Sequence, residues 1–495
     1  MNDIRVTYSG LISLVVGLVG SIFGLIFTLV VTRTLLPEEF GTWGLLLGLF
    51  GNVILFEPVV GFWVTRQMAR GIPSARTAIF TTSLFSMVAV FIFLIVVNFI
   101  LNPIDVDLNI LFFGSILIPA IFLNRTLNAI CLGYKPHIAS MGQLVFGVVQ
   151  VLMVLLLIFY LNLGLVGLII SVLISYIGSI IIQTVYCKEQ LKNKIDKKII
   201  KKWLKLSWLP LYPGIGHTLL RFDVVIFTLI TGSVIGIAYW TVATTLAQLI
   251  TIVGGISIAT YSKVLEEKNK EFFEDHLTHL FFFAIPFTAI VLVVAKPGLF
   301  LLNPFYVIAY PVVIILTIQI LLNIFYMTFQ SVILGSDSVD IAEKSTYKQY
   351  VKSKLFFMPT MLIIQFASYI IILTIVLFLL SDQSSEIELV IYWSMILLIT
   401  QIPITIYAYF LSKKEMFFTL NLKSISKYLL VGIIIFGSMF VLTQNYFNYD
   451  EGIYILTLKL LLVVLLGFGG YSFGTYILDI KIRNLFQSIL SEIKK

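Results

Sequence analysis

The sequence predicts an all-α integral membrane protein with 14 transmembrane helices, set out as two six-helix lobes in parallel pseudo-repeat plus two extra C-terminal helices. Three observations predict this. The 495-residue chain is 59% apolar and 12% charged, with a mean hydropathy of +1.04; a soluble domain is about half apolar and a quarter charged. Its apolar residues gather into 14 long runs, most of them near the ~20 residues a helix needs to cross ~30 Å of hydrocarbon. Its cations crowd into alternate connections between those runs.

Taken in order, the runs are roughly 10–32, 40–65, 76–101, 108–131, 138–161, 164–186, 206–230, 233–261, 277–295, 306–334, 355–380, 387–411, 426–444 and 453–478. The first is longer than a signal-peptide core and has no clear small-residue cleavage site, so it reads as a spanning helix. Pro37 cannot continue a helix interior but suits the first position of a new helix. Residues 10–65 therefore read as a tight helical hairpin, with Arg33, Glu38 and Glu39 at its tip. In the second run Pro58, next to Glu57, frees a carbonyl and bends the helix. The seventh run opens WLPLYPGIG; Pro210, Pro213, Gly214 and Gly216 make it read as broken or bent in its inner half, as in helices that line a transport cavity.

Between the sixth and seventh runs lies KEQLKNKIDKKIIKKWLK. Leu191, Ile195, Ile199, Ile200, Trp203 and Leu204 recur at helical spacing between lysines, the pattern of a basic amphipathic helix on the membrane face. The tail repeats it more weakly through Ile482, Leu485, Phe486, Ile489, Leu490 and Ile493. The expected organisation is an N-terminal lobe (1–187), a basic connector (188–205), a C-terminal lobe (206–411), an extra helix pair (412–478) and an amphipathic tail (479–495).

An even number of spans puts both termini on one side, and cytoplasmic loops collect lysine and arginine. With the N-terminus inside, 28 of the 33 basic residues fall in inner segments and only Arg33 and Lys296 in outer loops. The outer loops are short and acidic, with Asp105, Asp107, Asp382, Glu386, Glu388, Asp450 and Glu451. The expected location is the cell (plasma or inner) membrane with both termini cytoplasmic. The net charge of +8 then serves orientation and contact with anionic lipid, and no nucleic-acid partner is implied. Cys131 and Cys187 show neither metal nor disulfide spacing and read as incidental thiols.

The first hairpin carries an Arg-x-Leu-x-Pro-x-x-Phe-Gly pattern at Arg33, Leu35, Pro37, Phe40 and Gly41. In this pattern, and in length and helix count, the chain resembles the polysaccharide-biosynthesis (oligosaccharide flippase) branch of the multidrug/oligosaccharidyl-lipid/polysaccharide (MOP) exporter superfamily, over at least residues 1–410. An internal repeat points the same way. Aligning Gly41 with Gly236 lays LLPEEFGTWGLLLG over ITGSVIGIAYWTVA, and NAICLGYK (128–135) resembles QSVILGSD (330–337). Six helices, a basic connector and six more is the layout of parallel repeats, whose substrate sites lie between the halves.

Ionisable residues inside the membrane are costly and so become site candidates. Glu57 lies two-thirds of the way through the second run. Arg221 and Asp223 lie near the middle of the seventh; being two apart, they point to different faces, while His217 shares the face of Arg221. Arg125 stands about six residues from the inner end of the fourth run. Each has a plainer alternative. Arg125 and Lys459 can snorkel, Arg221 and Asp223 can each pair structurally with another helix, His217 can bond another helix uncharged, and Arg33 can anchor the outer interface. The resembled family has an arginine at the hairpin position and often an aspartate where Asp223 falls.

There is no phosphate-binding glycine loop, no metal spacing and no carboxylate pair in one loop, so no enzyme activity and no cofactor are expected. No connection is long enough to hold an ATPase domain. The resemblance implies a flippase that moves a glycan linked to polyprenyl phosphate or pyrophosphate from the inner to the outer leaflet by alternating access. Arg221, Arg125, Arg33 and His217 are then the substrate-binding candidates, and Asp223 and Glu57 the coupling-ion candidates. Membrane lipids, a glycan polymerase and glycosyltransferases are the implied partners of a monomer. The alternatives are a cation-coupled drug exporter of the same superfamily, a peptidoglycan-precursor flippase, or a membrane glycan ligase or glycosyltransferase.

Overall fold

A computed structural model describes residues 19–20, 22–100, 107–254, 270–336, 351–447 and 452–493. Among the described residues thirteen helices are long and apolar enough to cross a membrane, and a shorter apolar helix, Ile22–Thr34, precedes them. The first expected run lies partly outside the described residues. The helices are α1 (Ile22–Thr34), α2 (Pro37–Val53), α3 (Glu57–Ala69), α4 (Ala75–Ile100), α5 (Leu108–Gly114), α6 (Leu117–Tyr134), α7 (Pro136–Val154), α8 (Gly164–Tyr186), α9 (Lys197–Lys205), α10 (Trp208–Thr231), α11 (Ile235–Ala247), α12 (Lys270–Leu302), α13 (Tyr310–Gly335), α14 (Lys354–Leu380), α15 (Glu386–Met416), α16 (Leu422–Tyr446), α17 (Ile453–Leu478) and α18 (Ile480–Ile493).

Local chemistry explains the interruptions. Pro37 opens α2, where a missing N–H costs nothing, and the Leu36 N–H donates to Glu39 Oε2 at 3.0 Å. Pro58 cannot donate to the Ile54 carbonyl four residues back. The Glu57 N–H takes that carbonyl instead, and Ile54–Phe56 tightens into a 3₁₀ turn between α2 and α3. Of the break or bend anticipated in the seventh run, the break is not there: α10 is continuous, with Pro213 inside it. Pro210 falls in the first turn, whose N–H groups are unpaired in any helix, so only Pro213 removes a ladder bond.

The helices divide into two compact units, residues 1–241 with 359–393 and residues 242–358 with 394–495. In the first, small residues let backbones meet, which is how helices associate where lipid supplies no hydrophobic drive. A Cβ at Gly41 would overlap the Val234 carbonyl, one at Gly48 would press on Val224, and one at Gly133 would press on the Thr65 carbonyl. Thr65 Oγ1 donates to the Ala129 carbonyl at 3.0 Å, joining α3 to α6. The Thr82 and Thr126 hydroxyls share a 2.7 Å bond between α4 and α6. The connector forms α9, started by Asp196, whose side chain accepts from the Lys198 N–H at 2.7 Å and whose own N–H donates to Thr77 Oγ1 at 3.0 Å. Trp203 of α9 is buried in a cluster with Val64, Ile130 and Ala78, while Ile195 and Leu204 stay exposed.

Gly41 carries a direct prediction. Val234 offers backbone, which cannot yield as a flexible side chain can. Gly41→Val should cost about 1–3 kcal/mol by overpacking, lowering the melting temperature in detergent. An unchanged melting temperature would show that α2 does not meet the 234 turn this closely.

In the second unit α12 is central. Tyr471 of α17 donates to the Phe282 carbonyl at 3.1 Å, and the Phe282 ring also meets Tyr428 of α16 at 5.6 Å. Ion pairs join helix ends: Lys481 with Asp275 at 2.5 Å and Lys354 with Glu415 at 2.6 Å. In the tail, Ile482 is buried and Phe486 packs near Phe282. The side chains of Leu485, Ile489, Leu490 and Ile493 lie outside the described set.

Candidate functional site

The first unit holds a polar cavity of about 590 Å³ between α3 and α6. Helical spacing builds it. Glu57, Gly61 and Thr65 recur every four residues along α3, and Arg125, Asn128 and Leu132 share one face of α6. All six line the cavity, and Arg66 completes it. Gly61 leaves room for the Glu57 carboxylate, whose Oε1 would otherwise meet a Cβ at 2.7 Å. The Arg66 guanidinium lies 3.9 Å over the Phe62 ring, a cation–π contact. Asn128 Oδ1 has no hydrogen-bond partner among the described residues.

Arg125 is exposed rather than packed away. No carboxylate lies within 4.0 Å of Arg125 or Arg221 among the described residues. Arg125 is near enough to interact electrostatically with both Glu57 and Arg221. The Arg221 side chain runs across α2 at Gly51, where a Cβ would collide with its Cδ and guanidinium. Asn52 Nδ2 donates to the Arg221 carbonyl at 3.4 Å. His217 lies one turn before Arg221 with its ring 6.1 Å from Phe366. The structure thus brings Arg125, Arg221, Glu57 and His217 into one neighbourhood. Three arginines with Arg66 against one carboxylate make it electropositive.

Asp223 goes elsewhere, as its offset of two from Arg221 requires. It is 4% exposed and sits in an aromatic box. Tyr369 Oη donates to Oδ2 at 2.9 Å and Trp393 Nε1 at 3.3 Å. Trp393 Nε1 also donates to Tyr369 Oη at 2.6 Å. The Trp393 indole stacks on Trp240 at 4.0 Å and 3° and on Phe227 at 5.0 Å. Tyr369 and Trp393 both donate to the carboxylate, and the Tyr369 oxygen, which accepts from Trp393, is the other oxygen among these partners.

Arg33 does not join the cluster. It is half-buried near the end of α1, and the 17 residues of α2 lie between it and Glu57, a run of ~25 Å at 1.5 Å per residue. Sequence reasoning passed over Asn128 and Arg66, although the polar face Asn124–Arg125–Asn128 was there to be read. It passed over Tyr369, Trp393 and Gly51 as well, whose roles depend on contacts 146 to 170 residues away in the chain. A second cavity, about 580 Å³, lies in the second unit between α12, α13 and α16. Phe281, Ile285, Phe325, Ile433, Phe436 and Phe440 are among its walls and no charged side chain is, so it offers no opposite charge to an anion.

Comparison with solved structures places the fold. The backbone is similar to that of the lipid II flippase MurJ in its inward closed conformation, with a TM-score of 0.65 and 17% identity over 96% of this chain and 99% of that one. It is similar to an inward-facing multidrug resistance MATE family transporter of the MOP superfamily (TM-score 0.60, 12% identity, 80% of this chain and 95% of that one). A Pyrococcus furiosus MOP superfamily transporter, described as having a binding pocket of reversed polarity, gives 0.54 at 14% identity over 82% and 94%. No family model matches the chain, and no curated protein matches it. The chain therefore has the MOP-superfamily fold, an all-helical membrane architecture, and its structural neighbours are transporters.

Proposed function

We propose that this chain is a membrane transporter that flips a lipid-linked oligosaccharide or polysaccharide precursor from the inner to the outer leaflet by alternating access. One observation carries the reading: Arg125 lines a polar cavity with Arg221 near enough to interact with it electrostatically, and neither has a carboxylate within ion-pair distance among the described residues. A phosphate or pyrophosphate leaving water must recover its solvation, and two guanidinium forks supply charge-assisted, bidentate hydrogen bonds to its oxygens. Asn128, whose Oδ1 has no hydrogen-bond partner among the described residues, suits a sugar hydroxyl beside that phosphate. The polyprenyl tail needs no polar site and stays in lipid. The MurJ likeness supports a lipid-linked cargo, since that protein is named a lipid II flippase.

The second reading, a cation-coupled drug exporter, draws on the MATE likeness and on the carboxylates Glu57 and Asp223. An organic cation would have to enter beside three arginines, which disfavours it. A membrane glycan ligase or glycosyltransferase finds no paired carboxylates at the cavity to act on a glycosidic bond.

Proteoliposomes decide between the first two. Purified protein should carry a fluorescent polyprenyl-pyrophosphate glycan between leaflets, read as loss of protection from a non-permeant quencher, and should not concentrate ethidium. Ethidium transport with no movement of the glycan lipid would replace the flippase reading with the exporter one.

Both termini are cytoplasmic in this reading. Ser384 lies in the turn between α14 and α15, on the outer face of the proposed topology. In a variant with Cys131 and Cys187 replaced by serine, Ser384→Cys should react with a non-permeant maleimide added outside intact cells. Reaction only after the inner face is opened would invert the topology.

A further inference from the structure

The two cysteines, 56 positions apart in sequence, come together. Cys131 Sγ and Cys187 Sγ are 3.0 Å apart and both side chains are wholly buried. They are also the only cysteines in the chain. Cys131 lies in the last turn of α6, the helix that carries Arg125 and Asn128 on its cavity face. Cys187 caps the end of α8 and leads directly into the connector. Both belong to the buried cluster that receives Trp203 of α9.

We infer that Cys131 and Cys187 form a dithiol modification site that closes to a disulfide and locks the end of α6 to the α8–connector junction. The sulfurs need to approach by about 1 Å to reach a disulfide bond length of ~2.05 Å. The reaction is a two-electron oxidation. The two thiols lose two protons and two electrons, one S–S bond forms, and a diazene or small-disulfide oxidant is reduced to a hydrazine or to two thiols. Because both sulfurs are buried beside Trp203, the reagent gains access when α9 lifts, which ties the reaction to motion of the connector. The closed bond fixes the end of the helix that bears Arg125. Its consequence for transport rests on the flippase reading; the bond itself does not.

Membrane vesicles containing the protein are treated with diamide, denatured, and labelled with a 5 kDa polyethylene-glycol maleimide. The expected result is a monomer with no adduct, returning to two adducts after dithiothreitol, while Cys131→Ser retains one adduct with or without diamide. Trp203→Ala should speed the loss of adducts several-fold. Two adducts persisting after diamide, both in vesicles and in mild detergent, or a disulfide-linked dimer in place of the unlabelled monomer, would overturn the site. Flipping of the glycan lipid is then measured on the same preparations. Flipping that falls at least tenfold with diamide, returns with dithiothreitol and is indifferent to diamide in Cys131→Ser supports the lock. A disulfide that forms while flipping continues unchanged overturns the lock and leaves the flippase reading standing. Absence of flipping in the reduced protein removes the flippase reading and leaves the adduct count valid.

Discussion

Replacing Arg221 with alanine should abolish export of the lipid-linked glycan while membrane abundance stays near the wild-type level. Two features of the structure combine here. Arg221 has no carboxylate within 4.0 Å among the described residues, so its removal strands no buried partner. The ~3–5 kcal/mol loss that follows from breaking a buried pair is therefore not expected. Its neighbour is instead another cation, Arg125, and two guanidinium groups placed together repel until an anion joins them. Arg221→Lys keeps the charge and loses the fork, so partial export is expected. Gly51→Val should act on the same group from the other side, since a branched side chain there occupies the space of the Arg221 guanidinium. Measuring abundance and export together tests the account. Normal export by Arg221→Ala would leave Arg221 an incidental lumen residue, and low abundance would make it structural.

The second large effect is expected at Asp223. Its box offers a hydroxyl and an indole N–H, which stabilise a carboxylate or yield to a proton. A metal cation would need several oxygen ligands, and the box supplies none beyond Asp223 and the Tyr369 oxygen. The proposal that Asp223 couples transport thus takes the form of a protonation site. Asp223→Asn keeps the shape and one acceptor but cannot titrate, so flipping should persist and lose its response to an imposed pH gradient. Asp223→Ala removes the acceptor of the Tyr369 hydroxyl, while Trp393 keeps Tyr369 as its own acceptor. One buried unsatisfied donor costs about 1–3 kcal/mol, enough to lower abundance. An Asp223→Asn protein that answers a pH gradient as the wild type does would take the coupling role away from Asp223.

The helices were legible because hydrocarbon imposes length: runs of ~20 apolar residues bounded by charge leave little choice. Pro37 and Pro58 were readable too, since a missing N–H acts within one turn. The Pro/Gly run at 210–216 does not break α10, because Pro210 falls in the first turn and only Pro213 removes a ladder bond. The divergence of Arg221 and Asp223 followed from ~100° of rotation per residue. The partners of Asp223 did not follow, because Tyr369 and Trp393 look in sequence like any aromatic in an apolar run, and only tertiary packing turns them inward. The same holds for Cys131 and Cys187: each sits at the end of a different helix, and spacing along the chain says nothing of their meeting. Arg33, expected as the outer cation of the hairpin tip, stands a helix length away from the cavity.

The parallel indoles of Trp240 and Trp393, 4.0 Å apart, give the protein an optical signal of its own. Two transition dipoles stacked that closely couple, and a twist between them about the stacking axis gives an exciton couplet in circular dichroism that isolated indoles lack. One member donates its N–H toward Asp223, which places the chromophore in the field of that carboxylate. Gain or loss of a charge a few ångströms away in a poorly screened site shifts the indole energy levels. Tryptophan emission and the couplet should therefore move together as protons enter or leave, in a protein carrying no label, and both should stand still in Asp223→Asn.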